Sequence, residues 1–238
     1  LPGNALVPDL DLPIRADGNR LGGPVALPSD TPWPLDRQGA AMAFVAQIDF
    51  GSMPPLPGFP ASGLVQVFVG SDDLSGANFD DPRLSDIRII WQPSPAANAA
   101  LTPSPILSEF SPLSRRAIER GVALTAAPFA QLPTQSDWQL TQAIDGWYRR
   151  PGIEKIDAFL DSEELNPPRH HQVGGHPVFT QDDCRRAGHL DDYDRVLLRV
   201  TSDDHVMWGD VGEAVFLIRS RDLSARDFSR VAFSWDCS

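Results

Sequence analysis

The stretch that decides the fold is residues 203–228, DDHVMWGDVGEAVFLIRSRDLSARDF. Its second part, Gly212–Phe228, repeats an earlier stretch without a gap, Gly63–Phe79 (GLVQVFVGSDDLSGANF). In that alignment the two Asp-Leu-Ser triplets coincide, and each apolar strand residue apart from Leu64 falls opposite an apolar or neutral residue. The repeat predicts two copies of one small β unit.

The same order of features extends to either side of the repeated stretch. Each half carries a Gly-Gly turn, a strand, a second strand, an Asp-Leu-Ser segment and a third strand. Short apolar runs rich in β-branched residues predict the strands, which are Ala43–Ile48, Leu64–Val69 and Ile87–Trp91 in the first half and Val196–Val200, Ala214–Ile218 and Val231–Trp235 in the second. Because three strands cannot bury an apolar face alone, the two units are expected to pack on each other or on the inserted helices.

The rest of the chain predicts a lead-in and helices. Residues 1–40 are rich in Pro, which favours extended backbone before it, and predict an irregular lead-in. Helix start and stop signals predict three helices, one around Arg115–Arg120 closed by Gly121, one capped by Ser136-Asp137 with Leu140, Ala143, Ile144 and Trp147 on one face, and one near Ile153–Leu165.

These patterns together predict a β-rich α+β fold. Two duplicated antiparallel sheet units, each of three to four strands, would pack together with the helices inserted between them. The predicted organisation is one domain over residues 1–238. Repeat one covers about 20–92, the helical insertion about 105–168 and repeat two about 170–236.

Composition bounds the function. The net charge is −12 and Lys155 is the one lysine, which argues against nucleic-acid binding because phosphate contacts need clustered basic residues. The acidic balance suits a basic partner or simple solubility. No apolar run approaches a membrane span, and the given start has no signal-peptide features. It also lacks Met, which leaves an upstream signal open. We expect a cytoplasmic protein. Cys184 and Cys237 make no disulfide framework, and the sequence leaves open two buried thiols or a single bridge between them.

The sequence carries no catalytic signature, and we predict no cofactor. All five histidines fall in the second half, but their spacing matches no familiar metal motif and no nucleophile elbow is present. Arg185 and Arg186 could lower the pKa of Cys184, although a half-buried thiol is the commoner interpretation. The alternative function is a hydrolase or metal-dependent enzyme that uses second-half histidines and acids, with His171 or His176 beside Asp210.

The most distinctive tripeptide is Trp208-Gly209-Asp210. Structurally, Asp210 can cap its own turn and Trp208 can cover a sheet edge. Functionally, Trp208, Trp33 and His171 could line a groove for an extended peptide, since edge-strand pairing gives affinity and aromatic pockets give specificity.

Motifs spread through nearly the whole chain resemble the YwqG-like bacterial family, a domain of unknown function. They are Gly22-Gly23-Pro24, Leu27-Pro28, Trp33-Pro34, Phe44–Asp49 and Gly63–Phe68 in the first half, and His171–Pro177, Gln181, Leu197-Leu198 and Trp208–Gly212 in the second. The poorest agreement is Arg199-Val200, where the family usually carries a Gln-containing strand; Gln47 keeps that feature in the first half.

The resemblance implies a β-rich, internally duplicated protein without an established activity. The family is similar to a eukaryotic group that escorts a ribosomal protein, and some bacterial relatives lie beside secreted-toxin systems. Both features imply a non-enzymatic protein- or peptide-binding module with a chaperone-like or toxin-immunity accessory role. The candidate groove residues are then Trp33, Gln47, His171, Gln181, Trp208 and Asp210.

Overall fold

The computed structural model describes residues 1–29, 31–95, 100–105, 110–145, 169–188 and 190–238. The strands are β1 (Pro2–Asp9), β2 (Arg20–Leu21), β3 (Ala43–Asp49), β4 (Leu64–Val69), β5 (Ile87–Gln92), β6 (Val122–Ala130), β7 (His171–Gly174), β8 (Arg195–Thr201), β9 (Glu213–Ile218) and β10 (Ala232–Asp236). The helices are α1 (Arg115–Arg120), α2 (Trp138–Asp145) and α3 (Ser220–Ala225). None of the described helices is long and apolar enough to cross a membrane.

All of these strands belong to one antiparallel sheet, in the order β10-β9-β8-β7-β1-β6-β2-β3-β4-β5. The prediction of two separate sheet units packed on each other is therefore wrong. The four-strand runs β2–β5 and β7–β10 are joined at the centre of the sheet, where β1 and β6 pair over eight residues. β1 precedes β2 in the chain but pairs with β7, and β6 precedes β7 but pairs with β2. Each four-strand run is therefore extended by the strand that precedes the other run in the sequence.

The six predicted strands are confirmed to within one residue at each end. The irregular lead-in and the purely helical insertion are wrong, because they contain the two central strands β1 and β6. β1 has the sequence PGNALVPD, and Gly and Pro are poor strand formers. It is a strand because partners on both sides, β6 and β7, take up its backbone hydrogen bonds.

The inner face of the sheet forms the main core. Val65 and Val67 of the first half share one apolar cluster with Leu198, Phe216 and Phe233 of the second. The two edge strands approach each other around this core. The hydroxyl of Ser85, just before β5, donates to the carbonyl of Phe233 in β10 at 2.7 Å, so the sheet is nearly closed.

Each half also has an outer apolar layer beneath the segment that follows its Gly-Gly turn. In the first half Val25, Met42, Phe44 and Phe68 pack together with Trp33 against them. In the second half the layer consists of Phe179, Leu190, Tyr193, Val196, Val215, Leu217 and Ala232. The sheet is therefore the middle layer of the protein, with apolar side chains on both faces.

Two of the three predicted helices are confirmed. α1 starts at Ser114, whose hydroxyl accepts from the amide of Ala117, and ends at Gly121 with φ 76°. α2 covers most of the second prediction, while Trp147 and the third predicted helix, Ile153–Leu165, lie outside the described residues.

Candidate functional site

A cleft of about 530 Å³ opens beside the loop that precedes β2. We call Arg15–Asn19 the wall loop. The apolar lining comes from Leu12, Pro13, Ile14 and Leu124, and the carboxylates of Asp17 and Asp49 also line the cleft. The cleft thus combines apolar surface with acidic groups, drawn from the start of the chain, the end of β3 and β6.

Two buried side chains hold the wall loop from behind. The amide of Gln47, which is fully buried, donates to the carbonyls of Ala16 at 3.0 Å and Gly18 at 2.8 Å. The guanidinium of Arg20, also buried, donates to the carbonyl of Arg15. These bonds satisfy carbonyls that would otherwise be costly to bury, and they fix the path of the loop.

The far end of the wall loop is fixed by Asn19. Its side-chain oxygen accepts from the amide of Asp49 at 2.7 Å, and its side-chain nitrogen donates to the hydroxyl of Ser52 at 3.0 Å. The carbonyl of Asn19 accepts from the amide of Leu124 at 2.9 Å. A wall held at both ends loses little freedom when a ligand binds, which lowers the entropic cost of binding.

The mouth of the cleft carries more negative than positive charge. Arg15 and Asp17 form a two-point pair, with nitrogen–oxygen distances of 3.0 and 3.1 Å. The hydrogen bond to Asp17 raises the pKa of Arg15, and the same bond lowers the pKa of Asp17. Behind the loop, burial lowers the pKa of Arg20 to about 10. One guanidinium thus faces two carboxylates, since Asp49 also lines the cleft.

The structure places the candidate groove residues of the first half, and Trp208, in different layers. Trp33 lies on the outer face, where its indole nitrogen donates to the carbonyl of Met42 at 3.0 Å. Trp208 lies in the inner core, 2% exposed, and packs against Phe233. Gln47 is the one of the six that contacts the wall loop among the described residues. Binding by all six as a single groove stays a prediction.

The other three candidates, His171, Gln181 and Asp210, form hydrogen bonds either with the end of β8 and the turn after it or with the last two residues of the sequence. Nδ1 of His171 accepts from the amide of Thr201 at 3.2 Å, so Nε2 donates to Asp203, 3.1 Å away. The side chain of Gln181 donates to the carbonyl of Cys237, and the carbonyl of Asp210 accepts from the amide of Ser238. These contacts give His171 and Gln181 clear structural roles.

A family model described as a domain of unknown function, DUF1963, matches residues 19–237. The chain belongs to this family. The YwqG-like resemblance inferred from the sequence is therefore confirmed, and the match spans both four-strand runs and the anchoring residues Arg20 and Gln47. Among curated proteins, none matches the chain.

In this DUF1963 chain the predicted pairing of a histidine with Asp210 is wrong. Nδ1 of His176 lies 2.9 Å from a carboxylate oxygen of Asp137 at the start of α2. Asp137 is fully buried and also accepts from Arg185 at 2.8 Å. Burial alone would raise the pKa of Asp137, but the bonds from His176 and the charge of Arg185 outweigh it and lower that pKa.

Sequence reasoning missed this buried network of Asp137, His176, Arg185 and Asp183. Asp183 accepts from the guanidinium of Arg185 and from the amide of Trp138, which ties the start of α2 to the turn Cys184–Ala187. The sequence did predict Ser136-Asp137 as a helix cap. A capping pattern does not show which basic side chains from distant parts of the chain will bond to the carboxylate of Asp137. Within the described part of the chain these side chains bond to one another and to nearby backbone, so the network holds the start of α2 against the turn Cys184–Ala187.

Metal and thiol chemistry find little support in the described part of the chain. No group of three or more His, Cys, Asp or Glu residues there is arranged to hold a metal ion. Cys184 and Cys237 are both free thiols. The pKa of Cys184 is raised to about 12, because burial and the charge of Asp183 outweigh the lowering effect of Arg185. The thiol is therefore not activated by its arginine neighbours, and Arg185 is bound to Asp183 and Asp137.

Proposed function

We propose that this DUF1963 protein is a non-enzymatic module that binds a protein or peptide through the cleft beside the wall loop. The observation that carries the proposal is an apolar, acidic cleft whose wall is held rigid by buried Gln47, Arg20 and Asn19. Rigid walls favour recognition of a shape that is already present. The proposed setting is cytoplasmic, with a chaperone-like or toxin-immunity accessory role and no membrane.

The apolar part of the cleft supports a ligand with large aliphatic side chains. Leu12 is 46% exposed and the neighbouring Leu10 is 54% exposed, while Ile14 and Leu124 also line the cleft. Burial of apolar surface contributes roughly 25 cal/mol for each Å² removed from water. A leucine-sized ligand side chain placed between Leu12 and Leu124 would therefore supply most of the affinity.

The acidic groups support a basic ligand. The chain carries a net charge of −12, and the cleft adds the carboxylates of Asp17 and Asp49. A complementary positive charge increases the rate of encounter and fixes orientation, and its effect weakens as salt screens it. Nucleic acid is not the partner we propose, because its phosphates would meet the same acidic surface.

We propose further that the two four-strand runs arose by duplication of one unit within a single domain. The support is that the pairing of β3 with β4 is interrupted by a bulge between Phe44 and Ala46, and that of β8 with β9 between Val196 and Leu198. In the sequence repeat Phe44 aligns with Val196 and Ala46 with Leu198. β-bulges at aligned positions are a structural trait that related units share.

The test measures binding of a fluorescein-labelled peptide of alternating lysine and leucine by fluorescence anisotropy. The same peptide with glutamate in place of lysine is the ligand control. We expect saturable binding of the basic peptide that weakens as salt is added, and no binding of the acidic one. Equal binding of both peptides, or of neither, would overturn the proposal.

Matched variants locate the site. Leu12→Ser removes an exposed leucine at the cleft, and Leu84→Ser removes one of similar exposure, 53%, that does not line it. We expect Leu12→Ser to weaken binding about tenfold, which corresponds to roughly 1.4 kcal/mol. Leu84→Ser should bind as the wild type does. An equal loss in both variants would show that binding occurs elsewhere.

A further inference from the structure

The sheet has a gap beside β2, its shortest strand. β2 covers the two residues Arg20–Leu21, while its neighbours β6 and β3 are nine and seven residues long. The pairing of β2 with both neighbours covers those two residues. Beyond the start of β2 the cleft takes the place of a strand, because Ala126 of β6 and Asp49 at the end of β3 both line it.

Backbone groups of β6 face this gap without partners. Neighbouring residues of a strand direct their N–H and C=O groups to opposite sides, and the amide of Leu124 donates to the carbonyl of Asn19 on the β2 side at 2.9 Å. Ala126 and Pro128 therefore point to that side as well. Among the described residues, nothing bonds there to the backbone of Ala126 or to the carbonyl of Pro128. Pro128 fits an unpaired edge, because proline has no N–H to offer a neighbouring strand.

The opposite wall of the gap already has its hydrogen bonds. The amide of Asp49 donates to the side-chain oxygen of Asn19 at 2.7 Å, and the carbonyl of Asp49 accepts from the hydroxyl of Ser52 at 3.1 Å. A strand that enters the gap would therefore find its backbone partners on β6.

We infer that the basic ligand of the cleft binds as an extended strand, in line with β2 and antiparallel to β6. The inference rests on the proposed function and specifies how the ligand is held. The ligand residue opposite Ala126 exchanges two N–H···O=C bonds with it, and the ligand residue opposite Pro128 donates to its carbonyl. Main-chain bonds of this kind supply affinity, and the side chains of the bound strand supply specificity.

The two faces of the sheet set the side-chain pattern of that strand. Ala126 packs against the main core on the inner face. Asp49 lies on the outer face, two residues from Gln47, whose partner Gln66 alternates with core residues of β4. Since opposite residues share a face, the ligand residue opposite Ala126 points inwards and is apolar. Its two neighbours point outwards, on the side of the Asp49 carboxylate, and are basic.

The test changes the backbone of the ligand and leaves its side chains intact. Two versions of the fluorescein-labelled lysine–leucine peptide carry N-methyl groups, one on the leucine amides and one on the lysine amides. N-methylation of the leucines should weaken binding by at least about tenfold, because their N–H groups face β6. N-methylation of the lysines should leave the dissociation constant nearly unchanged, because their N–H groups face the wall whose bonds are already made.

A variant of the protein tests the same bonds from the other side. Ala126→Pro removes the amide that donates to the ligand, and we expect the affinity to fall about tenfold. Ala130→Pro is the matched control, since the amide of Ala130 points the same way but Ala130 does not line the cleft. It should bind as the wild type does. Circular dichroism checks that both variants are folded, and the methylated peptides test the inference on the wild type whether or not they are.

The outcomes separate this inference from the proposed function. If the unmodified peptide binds and the two methylated versions bind equally well, strand pairing is overturned and the cleft remains a peptide site. A folded Ala126→Pro variant with wild-type affinity would overturn strand pairing in the same way. An unmodified peptide that does not bind would overturn the proposed function, and this inference with it.

Discussion

The outer faces of the two halves both contain buried polar side chains, which are neutral amides in the first half and charged groups in the second. In the first half three glutamines form a ladder in which Gln92 donates to Gln66 and Gln66 donates to Gln47, each at 3.0 Å. Gln47 then donates to two carbonyls of the wall loop. Every amide group of this ladder that is buried has a hydrogen-bond partner.

The second half has a charged pair in the matching place. Arg199 stands where the sequence repeat has Gln47, and both its Nε atom and Oε2 of Glu213 are buried without a hydrogen bond, 3.6 Å apart. Burial lowers the pKa of Arg199 to about 10 and raises the pKa of Glu213. Both shifts favour the neutral forms, so the cost of burial exceeds the mutual attraction of the two charges.

The difference teaches that a buried polar layer can serve a neighbouring site or merely maintain itself. The neutral ladder donates hydrogen bonds to the wall loop of the cleft. Arg199 donates instead to the carbonyl of His170 at 2.7 Å, and Glu213 accepts from the hydroxyl of Thr201 at 2.8 Å. Among the described residues, neither side chain of this pair lines the cleft. A neutral amide costs less to bury than an ion. Gln47 therefore needs no charged partner, and its side-chain nitrogen donates to the wall loop.

The largest expected effect comes from breaking the ion pair. Glu213→Ala leaves the Arg199 guanidinium buried without a carboxylate, and we expect the free energy of unfolding to fall by about 3–5 kcal/mol in urea titrations. Glu119→Ala removes the carboxylate of an exposed pair with Arg115 and should leave the free energy of unfolding nearly unchanged. Similar losses in both variants would contradict the comparison.

Replacing both charges should reverse the sign. Arg199→Met combined with Glu213→Leu substitutes apolar side chains of similar volume, which we expect to leave stability unchanged or to raise it by up to about 4 kcal/mol. Urea titration of the double variant beside Glu213→Ala measures the difference. A double variant as unstable as the single one would mean that the pair holds the fold.

A smaller effect is expected from the amide ladder. Gln47→Leu leaves the carbonyls of Ala16 and Gly18 without their donor, and the free energy of unfolding should fall by about 1–3 kcal/mol. Because the wall loop loosens, affinity for the basic peptide should fall as well. Gln38→Leu is the control, since Gln38 is exposed. It should change the free energy of unfolding by no more than about 0.5 kcal/mol and leave the affinity for the basic peptide unchanged. Loss of stability with unchanged affinity would separate the ladder from the site.

The smallest effect is the pH dependence from Glu213. Its pKa is raised in the folded protein, so above its ordinary pKa of about 4.3 the folded state binds protons more readily than the unfolded state. The stability of the wild type relative to Glu213→Gln should therefore fall as pH rises from the ordinary pKa through the raised pKa of the folded protein. Asp137 and Asp203, whose pKa values are lowered, are present in both proteins and cancel. A relative stability that rises with pH would contradict this sign.

Local sequence predicts the parts of this protein whose signal lies within a few residues. The six apolar runs form strands because β-branched side chains suit a pleated surface. Ser114 and Gly121 delimit α1 through short-range hydrogen bonds and a positive φ. Gln47, singled out by the family resemblance, also contributes, although as a buried anchor of the wall loop rather than as a contact for a partner.

The central strands, the cleft and the His176–Asp137 bond depend on contacts between distant residues. β1 is a strand only because β6 and β7, more than a hundred residues later, pair with it. The cleft brings Leu12, Asp49 and Leu124 together although no local pattern connects them. The sequence by itself determined where six of the strands and α1 form, since those depend on neighbouring side chains and backbone preferences. The tertiary structure decided which strands pair and which polar groups meet, because those choices depend on hydrogen bonds and burial shared across the whole chain.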